Sequence, residues 1–147
     1  MWCGEGLAWF YDVAKRIGVD KIAEMSNRLG MGDLTGLDLS GERPGLIPTK
    51  QWKRDKLGKS WHQGETLIVG IGQGYVLTTP LQLAVMTARL VNGGKAVVPH
   101  LTKKNISGSD VQDRKIDPAF PSLNIKPEYL KYVMTGMDEV MNSTRGT

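Results

Sequence analysis

The segment that most constrains the fold is GIGQGYVLTTPLQLA, Gly70 to Ala84, which places three glycines within five residues and then leads into a proline. Thr79 stands directly before Pro80 and three residues before Gln82. This is the Thr-x-x-Gln form of a capping box, with proline at the first helical position. The segment therefore predicts a helix that begins at Pro80, and Asn92-Gly93-Gly94 predicts its end.

The glycines ahead of this helix lack the spacing of a phosphate-binding loop. A dinucleotide site needs Gly-x-Gly-x-x-Gly between a strand and a helix, and a P-loop needs Gly-Lys-Ser/Thr directly before its helix. Residues 70–74, GIGQG, have neither arrangement. We interpret them as a backbone crossing, because glycine permits close approach to a neighbour or a positive φ. We expect this crossing to seat the helix capped by Thr79, with Gly72 as a critical position.

Hydrophobic spacing predicts further helices with apolar faces. The runs LAWFYDVAKRIG and KIAEMSNRLG predict two consecutive helices, the second capped by Asp20. A basic helical turn is predicted from Thr49 to Leu57, and a long helix over 127–142. The residues predicted to face inward are Phe10, Ala14, Ile17, Ile22, Met25, Leu29, Pro80, Leu83, Ala84, Thr87, Leu90, Val91, Leu130, Val133, Met134, Met137 and Met141.

Between the helices, short segments predict extended structure. The run LTGLDL, residues 34–39, alternates like a brief strand, residues 65–70 predict a short extended run, and KAVVPHL, residues 95–101, predicts another strand. Residues 31–48 predict a connecting arm, and residues 102–117 predict a polar, mobile loop. The predicted fold class is α+β, mainly helices with a few short strands and an extended arm.

Length and charge favour one domain without a nucleic-acid surface. The chain has 147 residues, 40% of them hydrophobic, and a net charge of +4, so one domain with a core is expected. Basic residues cluster only at Lys50, Lys53, Arg54, Lys56 and Lys59. A nucleic-acid surface usually has a denser basic stripe with aromatic residues between the charges. We prefer a solvated basic face, and a surface for nucleic acid or anionic lipid remains the alternative.

Residues that could bind a metal or act as nucleophiles are few. Cys3 is the only cysteine, which excludes an intrachain disulfide. His62 and His100 lie far apart without metal-ligand spacing, and Asp33 and Asp38 are interpreted as solvated carboxylates. We therefore predict no metal and no cofactor. No run approaches the ~20 apolar residues of a membrane span, so we expect this chain to be soluble.

Five blocks of sequence follow one another along the chain: WFYDVAKRIG, LGMGDLTGLDL, RPGLIPTKQWK, WHQGETLIVGIGQGYVLTTPLQLA and NGGKAVVPHL. In this order they resemble the transpeptidase domain of class B penicillin-binding proteins, and within that family the branch that serves cell elongation in Gram-negative bacteria. The resemblance covers about residues 9–147, whereas residues 1–8 depart from the pattern as a divergent start or a cloning remnant.

The resemblance implies part of a β-lactamase-like transpeptidase domain. The whole enzyme would cross-link peptidoglycan stem peptides by serine acyl transfer and be acylated by β-lactams. It would work in the periplasm, anchored in the inner membrane, with proteins of the elongation machinery as partners. An interaction module without catalysis, which self-associates through surfaces normally covered, is the alternative.

The catalytic motifs of this family are Ser-x-x-Lys, a Ser-x-Asn type triplet and Lys-Thr-Gly. No serine of this chain has a lysine three positions later, and Lys-Thr-Gly is absent. The family's order of blocks implies that residues 1–147 lie between the second and the third motif. We therefore expect all three motifs to lie outside this chain, and we assign it no catalytic residue.

Overall fold

The computed structural model describes residues 3–37, 40–101 and 122–144, and the structural statements below concern these residues. They form six helices, and one isolated antiparallel bridge joins Leu46 to Leu77. The predominance of helices confirms the main feature of the predicted fold. The helices are α1 (Cys3–Ile17), α2 (Val19–Arg28), α3 (Lys50–Leu57), α4 (Gln63–Gly70), α5 (Pro80–Val91) and α6 (Pro127–Asn142).

The ends of several helices follow the predicted capping residues. Thr79 accepts a hydrogen bond from the backbone of Gln82, so α5 begins at Pro80 as predicted. The N-cap of α2 is Gly18, and the prediction that Asp20 caps this helix is wrong. The Asp20 carboxylate lies one residue inside α2 and instead accepts a hydrogen bond from the backbone of Lys50 at 3.1 Å.

The predicted short strands are not formed in the described residues. Residues 34–37 and 95–101 are irregular, whereas Asp38, Leu39 and the predicted loop at 102–117 lie outside the described residues. Residues 65–70, predicted to be extended, belong to α4. The Glu65 carboxylate accepts a hydrogen bond from the backbone N–H of His62 at 2.7 Å, which stabilises the first turn of this helix.

Of the residues predicted to face inward, only Ala14 and Leu130 are buried in the described part of the chain. In α5 the inward side chains are Gln82, Val85 and Arg89, whereas Leu83 and Val91 are exposed. In α6 only Leu130 is buried, so the other residues predicted to face inward on this helix do not do so. No helix of the described residues packs over the exposed faces of α5 and α6 that carry these side chains. The buried apolar residues are Ala14, Val19, Ala23, Val69, Val85, Leu123 and Leu130.

Helices α1 and α4 cross closely at Gly70. A Cβ atom added to Gly70 would lie 2.3 Å from the Cβ atom of Ala14, so only glycine allows this approach. The crossing therefore seats α4, and not the helix capped by Thr79 as predicted. Gly72 has φ +75° with no other atom within 4 Å of an added Cβ, so it serves a turn.

Candidate functional site

The side chain of Gln82 joins the connecting arm to the start of α5. Gln82 is fully buried, and its Nε2 donates hydrogen bonds of 2.8 Å to the carbonyl oxygens of Asp33 and Pro44. Its Oε1 accepts from the backbone N–H of Thr79 at 3.0 Å and from the Thr78 hydroxyl at 3.2 Å. One amide thus links three separate pieces of backbone.

The arm is also joined to the segment before α5 by the bridge between Leu46 and Leu77. The two residues exchange backbone hydrogen bonds of 2.7 and 2.9 Å. Gly45, immediately before the bridge, has φ +66°, and a Cβ atom there would lie 2.5 Å from the carbonyl oxygen of Leu77. The bridge and Gln82 therefore hold the same stretch of the arm.

The turn at the start of the arm is closed by the carboxylate of Glu42. Thr35 is buried, and both its hydroxyl and its backbone N–H donate to Glu42. Burial alone would raise the pKa of Glu42. Hydrogen bonds from Thr35 and from the backbone of Gly36 and Leu37 outweigh burial and hold the pKa below its ordinary value of 4.5.

A second polar cluster is the ion pair between Lys53 of α3 and Glu65 of α4. The Lys53 side chain is only 3% exposed, and its Nζ lies 2.5 and 2.7 Å from the two Glu65 oxygens. The Trp61 ring centroid lies 5.9 Å from the same Nζ. Burial favours the neutral form of Glu65, but hydrogen bonds from Lys53 and the backbone of His62 keep its pKa below 4.5.

This lysine is not arranged to activate a serine. A lysine acting as a general base must be neutral and must lie beside the nucleophilic hydroxyl. Lys53 instead binds both oxygens of an ionised carboxylate. The pair joins α3 to α4 in a partly water-excluded position, and the arrangement is structural.

Contrary to the expectation that all three motifs lie outside this chain, the sequence contains one triplet of Ser-x-Asn form, Ser122-Leu123-Asn124. Its central residue, Leu123, is fully buried, donates from its backbone to Gly94 at 2.8 Å and accepts from the Arg28 guanidinium. Ser122 is exposed. The triplet also follows the blocks that the family's second motif precedes. Through Leu123 the triplet connects α2 to the turn after α5, just before α6 begins. We interpret the triplet as structural and assign it no catalytic role.

The remaining residues considered from the sequence do not come together. His62 is the N-cap of α4 and His100 is exposed. The Asp33 carboxylate accepts from the backbone of Leu34 at 2.8 Å. Asp38 and the side chain of Cys3 lie outside the described residues. Among the described residues, no group of three His, Cys, Asp or Glu side chains could hold a metal ion.

An apolar groove of about 580 Å³ lies between α2, α5 and α6. Apolar side chains dominate its lining, and the groove contains no pair of groups suited to acid–base or nucleophilic chemistry. The apolar lining comprises Met25, Leu29, Leu90, Ile125, Tyr129, Leu130 and Val133.

None of the helices in the described residues is long and apolar enough to cross a membrane.

The chain matches known proteins over nearly its whole length. The sequence model of the penicillin binding protein transpeptidase domain matches residues 8–147. The peptidoglycan D,D-transpeptidase MrdA of Escherichia coli strain K12 is 38% identical over 144 residues, which cover 95% of this chain and 22% of that protein. The chain thus spans about a fifth of the length of this curated relative.

Solved structures give the same result for the fold. Pseudomonas aeruginosa PBP2 in complex with WCK 5153 superposes with a TM-score of 0.83 at 40% identity, covering 95% of this chain and 31% of that one. Helicobacter pylori PBP2, solved in complex with MreC, gives 0.79 at 31% identity, covering 95% and 24%. The chain therefore belongs to the penicillin-binding protein transpeptidase domain family, on its penicillin-binding protein 2 branch.

Proposed function

We propose that this chain is part of a peptidoglycan D,D-transpeptidase that cross-links stem peptides during cell-wall elongation. The observation that carries the proposal is the 38% identity to the Escherichia coli enzyme across 95% of this chain. In this chemistry a serine hydroxyl attacks a peptide carbonyl, the terminal residue leaves, and an amine of a second stem peptide displaces the serine from the acyl-enzyme. A β-lactam acylates the same serine.

Within that enzyme, residues 1–147 supply scaffold between the second and third catalytic motifs, with residues 1–8 as a divergent or non-native start. The absence of Ser-x-x-Lys and Lys-Thr-Gly from the sequence supports this placement. The buried polar links made by Gln82 and Lys53 support it as well, because they fix backbone segments without offering a reactive group. The chain alone does not catalyse.

The proposal extends to the partners and the location of the whole enzyme. Helicobacter pylori PBP2 has been solved in complex with MreC, and we assign elongation-machinery proteins as partners on this basis. Peptidoglycan stem peptides and β-lactams are its small ligands, and nucleic acid is not a partner. We place the domain in the periplasm, attached to an enzyme anchored in the inner membrane.

The alternative is an interaction module without catalysis. Large apolar side chains are exposed on α5 and α6, among them Val91 at 51% and Met141 at 81%. Exposed apolar surface of this kind marks either an interface or a face that further protein covers. Self-association of the chain through these helices is the behaviour that this alternative requires.

Labelled penicillin and intact-mass measurement test the proposal. We expect no adduct on the chain itself, because the nucleophile is absent. We expect one adduct per molecule on a chimera in which residues 8–147 replace the matching segment of the Escherichia coli enzyme. A chimera that folds, as judged by circular dichroism, but takes no label would contradict the proposal. A stoichiometric adduct on the chain alone would contradict the assignment of no catalytic residue.

A matched pair of glutamine variants sharpens the chimera experiment. In the chimera, Gln82→Ala removes the buried amide that links the arm to α5. Gln73→Ala removes an amide of the same kind from an exposed position. We expect Gln82→Ala to slow acylation and lower thermal stability, and Gln73→Ala to change neither. Equal effects of the two substitutions would argue against a scaffold role for Gln82.

A further inference from the structure

The end of α3 and the turn after it form an exposed segment, which we call the tip and define as residues 54–60 with the sequence RDKLGKS. All seven residues of this tip are exposed. The helix stops at Leu57 because Gly58 takes the left-handed conformation, with φ +62°, and its N–H closes the last turn on the carbonyl oxygen of Arg54. The side chains of the tip are therefore accessible to a binding partner.

The tip carries cations without acidic partners. Arg54, Lys56 and Lys59 make no ion pair with any described residue. The one carboxylate of the tip, Asp55, accepts a hydrogen bond from the Gln51 amide at 2.8 Å. Three cations and one carboxylate give the tip a net charge of +2. Leu57 adds an apolar side chain that is 43% exposed.

The base of the tip is held firmly. The Thr49 hydroxyl accepts from the backbone of Trp52 at 3.0 Å and caps the start of α3. The Trp52 ring packs on Tyr75 with centroids 5.2 Å apart. The buried ion pair between Lys53 and Glu65 joins the middle of α3 to α4. The tip therefore presents its charges from a fixed helix.

The composition of the tip and the contacts of the nearby aromatic rings favour an anionic lipid surface over a nucleic acid. Single-stranded nucleic acid is bound in a basic groove by stacking on exposed aromatic rings. Both nearby tryptophans are instead engaged in internal contacts. Trp61 donates its indole N–H to the Thr66 hydroxyl at 2.9 Å, and the Trp52 ring packs against Tyr75. Basic side chains beside an exposed leucine suit lipid headgroups and the acyl boundary beneath them.

We propose that the α3 tip docks on an anionic phospholipid surface through Arg54, Lys56 and Lys59, with Leu57 entering the headgroup layer. Each cation near such a surface adds about 1 kcal/mol of attraction. Three cations together then raise the partition coefficient roughly a hundredfold at low ionic strength. Salt screens this attraction.

The test is co-sedimentation of the chain with vesicles of phosphatidylcholine, with and without phosphatidylglycerol, at low and high salt. Binding to neutral vesicles measures the contribution of other apolar surfaces, and the added phosphatidylglycerol isolates the electrostatic part. The triple variant R54Q/K56Q/K59Q should lose most of the phosphatidylglycerol-dependent binding. The control K15Q/K21Q/K131Q removes the same charge from three exposed lysines elsewhere, and it should retain that binding.

Several outcomes would overturn the proposal. Equal losses in the two triple variants would show that only net charge matters. Binding that ignores phosphatidylglycerol or salt would remove the electrostatic basis. Single-stranded DNA provides the third comparison: tight binding to it through the same three residues, without vesicle binding, would assign the tip to a nucleic acid instead. Thermal unfolding of both variants controls for loss of fold.

Discussion

The buried amide of Gln82 uses both of its donors and both acceptor positions of its oxygen. Two bonds run to the carbonyl oxygens of Asp33 and Pro44, and two come from Thr78 and Thr79. An apolar residue of similar volume would leave the carbonyl oxygens of Asp33 and Pro44 without this donor, and each of them that stays shielded from water would cost about 1–3 kcal/mol. The position therefore requires an amide for reasons beyond helix capping.

The partly exposed carboxylate of Glu65 makes stability depend on pH. Its pKa in the folded chain lies below the ordinary value of 4.5, because hydrogen bonds from Lys53 and His62 outweigh the effect of burial. A carboxyl group with a lowered folded-state pKa stabilises the fold fully above its unfolded pKa. That contribution is lost as the pH falls through the folded-state value. The relevant window is thus acidic, below about pH 4.5.

We predict that Glu65→Gln lowers the free energy of unfolding by about 2–4 kcal/mol at pH 7, because Lys53 is left buried without its anion. The difference from the unmodified chain should shrink as the pH falls below about 4. Urea unfolding at several pH values measures both effects. Asp20→Asn is the matched control, since its ion pair with Lys50 is exposed, and it should cost less than about 1 kcal/mol. An unchanged pH slope in Glu65→Gln would contradict the assignment.

Among the helices, the parts determined by local sequence were predictable and the parts determined by packing were not. The start of α5 follows from Thr79, Pro80 and Gln82, which act within one turn. Residues 65–70 were predicted wrongly because a short apolar run fits either a strand or a buried helix. The inward face of α5 was also wrong, because hydrophobic spacing does not reveal which side a neighbour covers.

In the site, too, local features were predictable from the sequence and long-range contacts were not. The capping role of Gln82 is visible in the sequence, whereas its bonds to Asp33 and Pro44 join residues 49 and 38 positions away. The pair of Lys53 and Glu65 has no short-range pattern, because the residues lie in different helices. Charged residues are usually solvated, so sequence reasoning assigns both to the surface.

The crossing of α1 and α4 can be tested by two glycine substitutions within one helix. Gly70→Ala places a methyl group 2.3 Å from the Ala14 Cβ atom and should cost about 1–3 kcal/mol through overpacking. Gly64→Ala, in the same helix, meets no atom within 4 Å. It should be neutral or stabilise by up to about 1 kcal/mol, because alanine favours helix. Thermal and urea unfolding give both values.

A double-mutant cycle distinguishes a clash with Ala14 from any other cost of substituting Gly70. Ala14→Gly removes the methyl group that the new side chain would meet, at a helix-propensity cost of about 1 kcal/mol. Combined with Gly70→Ala, it should cost less than the sum of the single substitutions. Strict additivity would show that the helices do not meet at these two residues.

At the scale of the whole molecule, the described residues are mainly helical, and many of their large apolar side chains are exposed. Trp9 and Phe10 of α1 are 61% and 51% exposed, and Tyr132 of α6 is 76% exposed. Because monomeric proteins rarely expose large contiguous apolar patches, these helices are suited to contact further protein. The chain matches 31% of the length of Pseudomonas aeruginosa PBP2, and the rest of a transpeptidase domain would supply that contact.

For the chain by itself, we predict concentration-dependent self-association through the exposed faces of α5 and α6, since apolar surface without another partner is buried against a second copy. Sedimentation velocity over a range of concentrations measures it. The double variant V133K/M141K places charges on exposed positions of α6 and should shift the chain toward monomer without lowering its thermal stability. Leu34→Lys, which alters an exposed leucine of the arm, should leave association unchanged. If the unmodified chain stays monomeric at high concentration, the prediction is contradicted. The exposed apolar faces of α5 and α6 would then remain in contact with water.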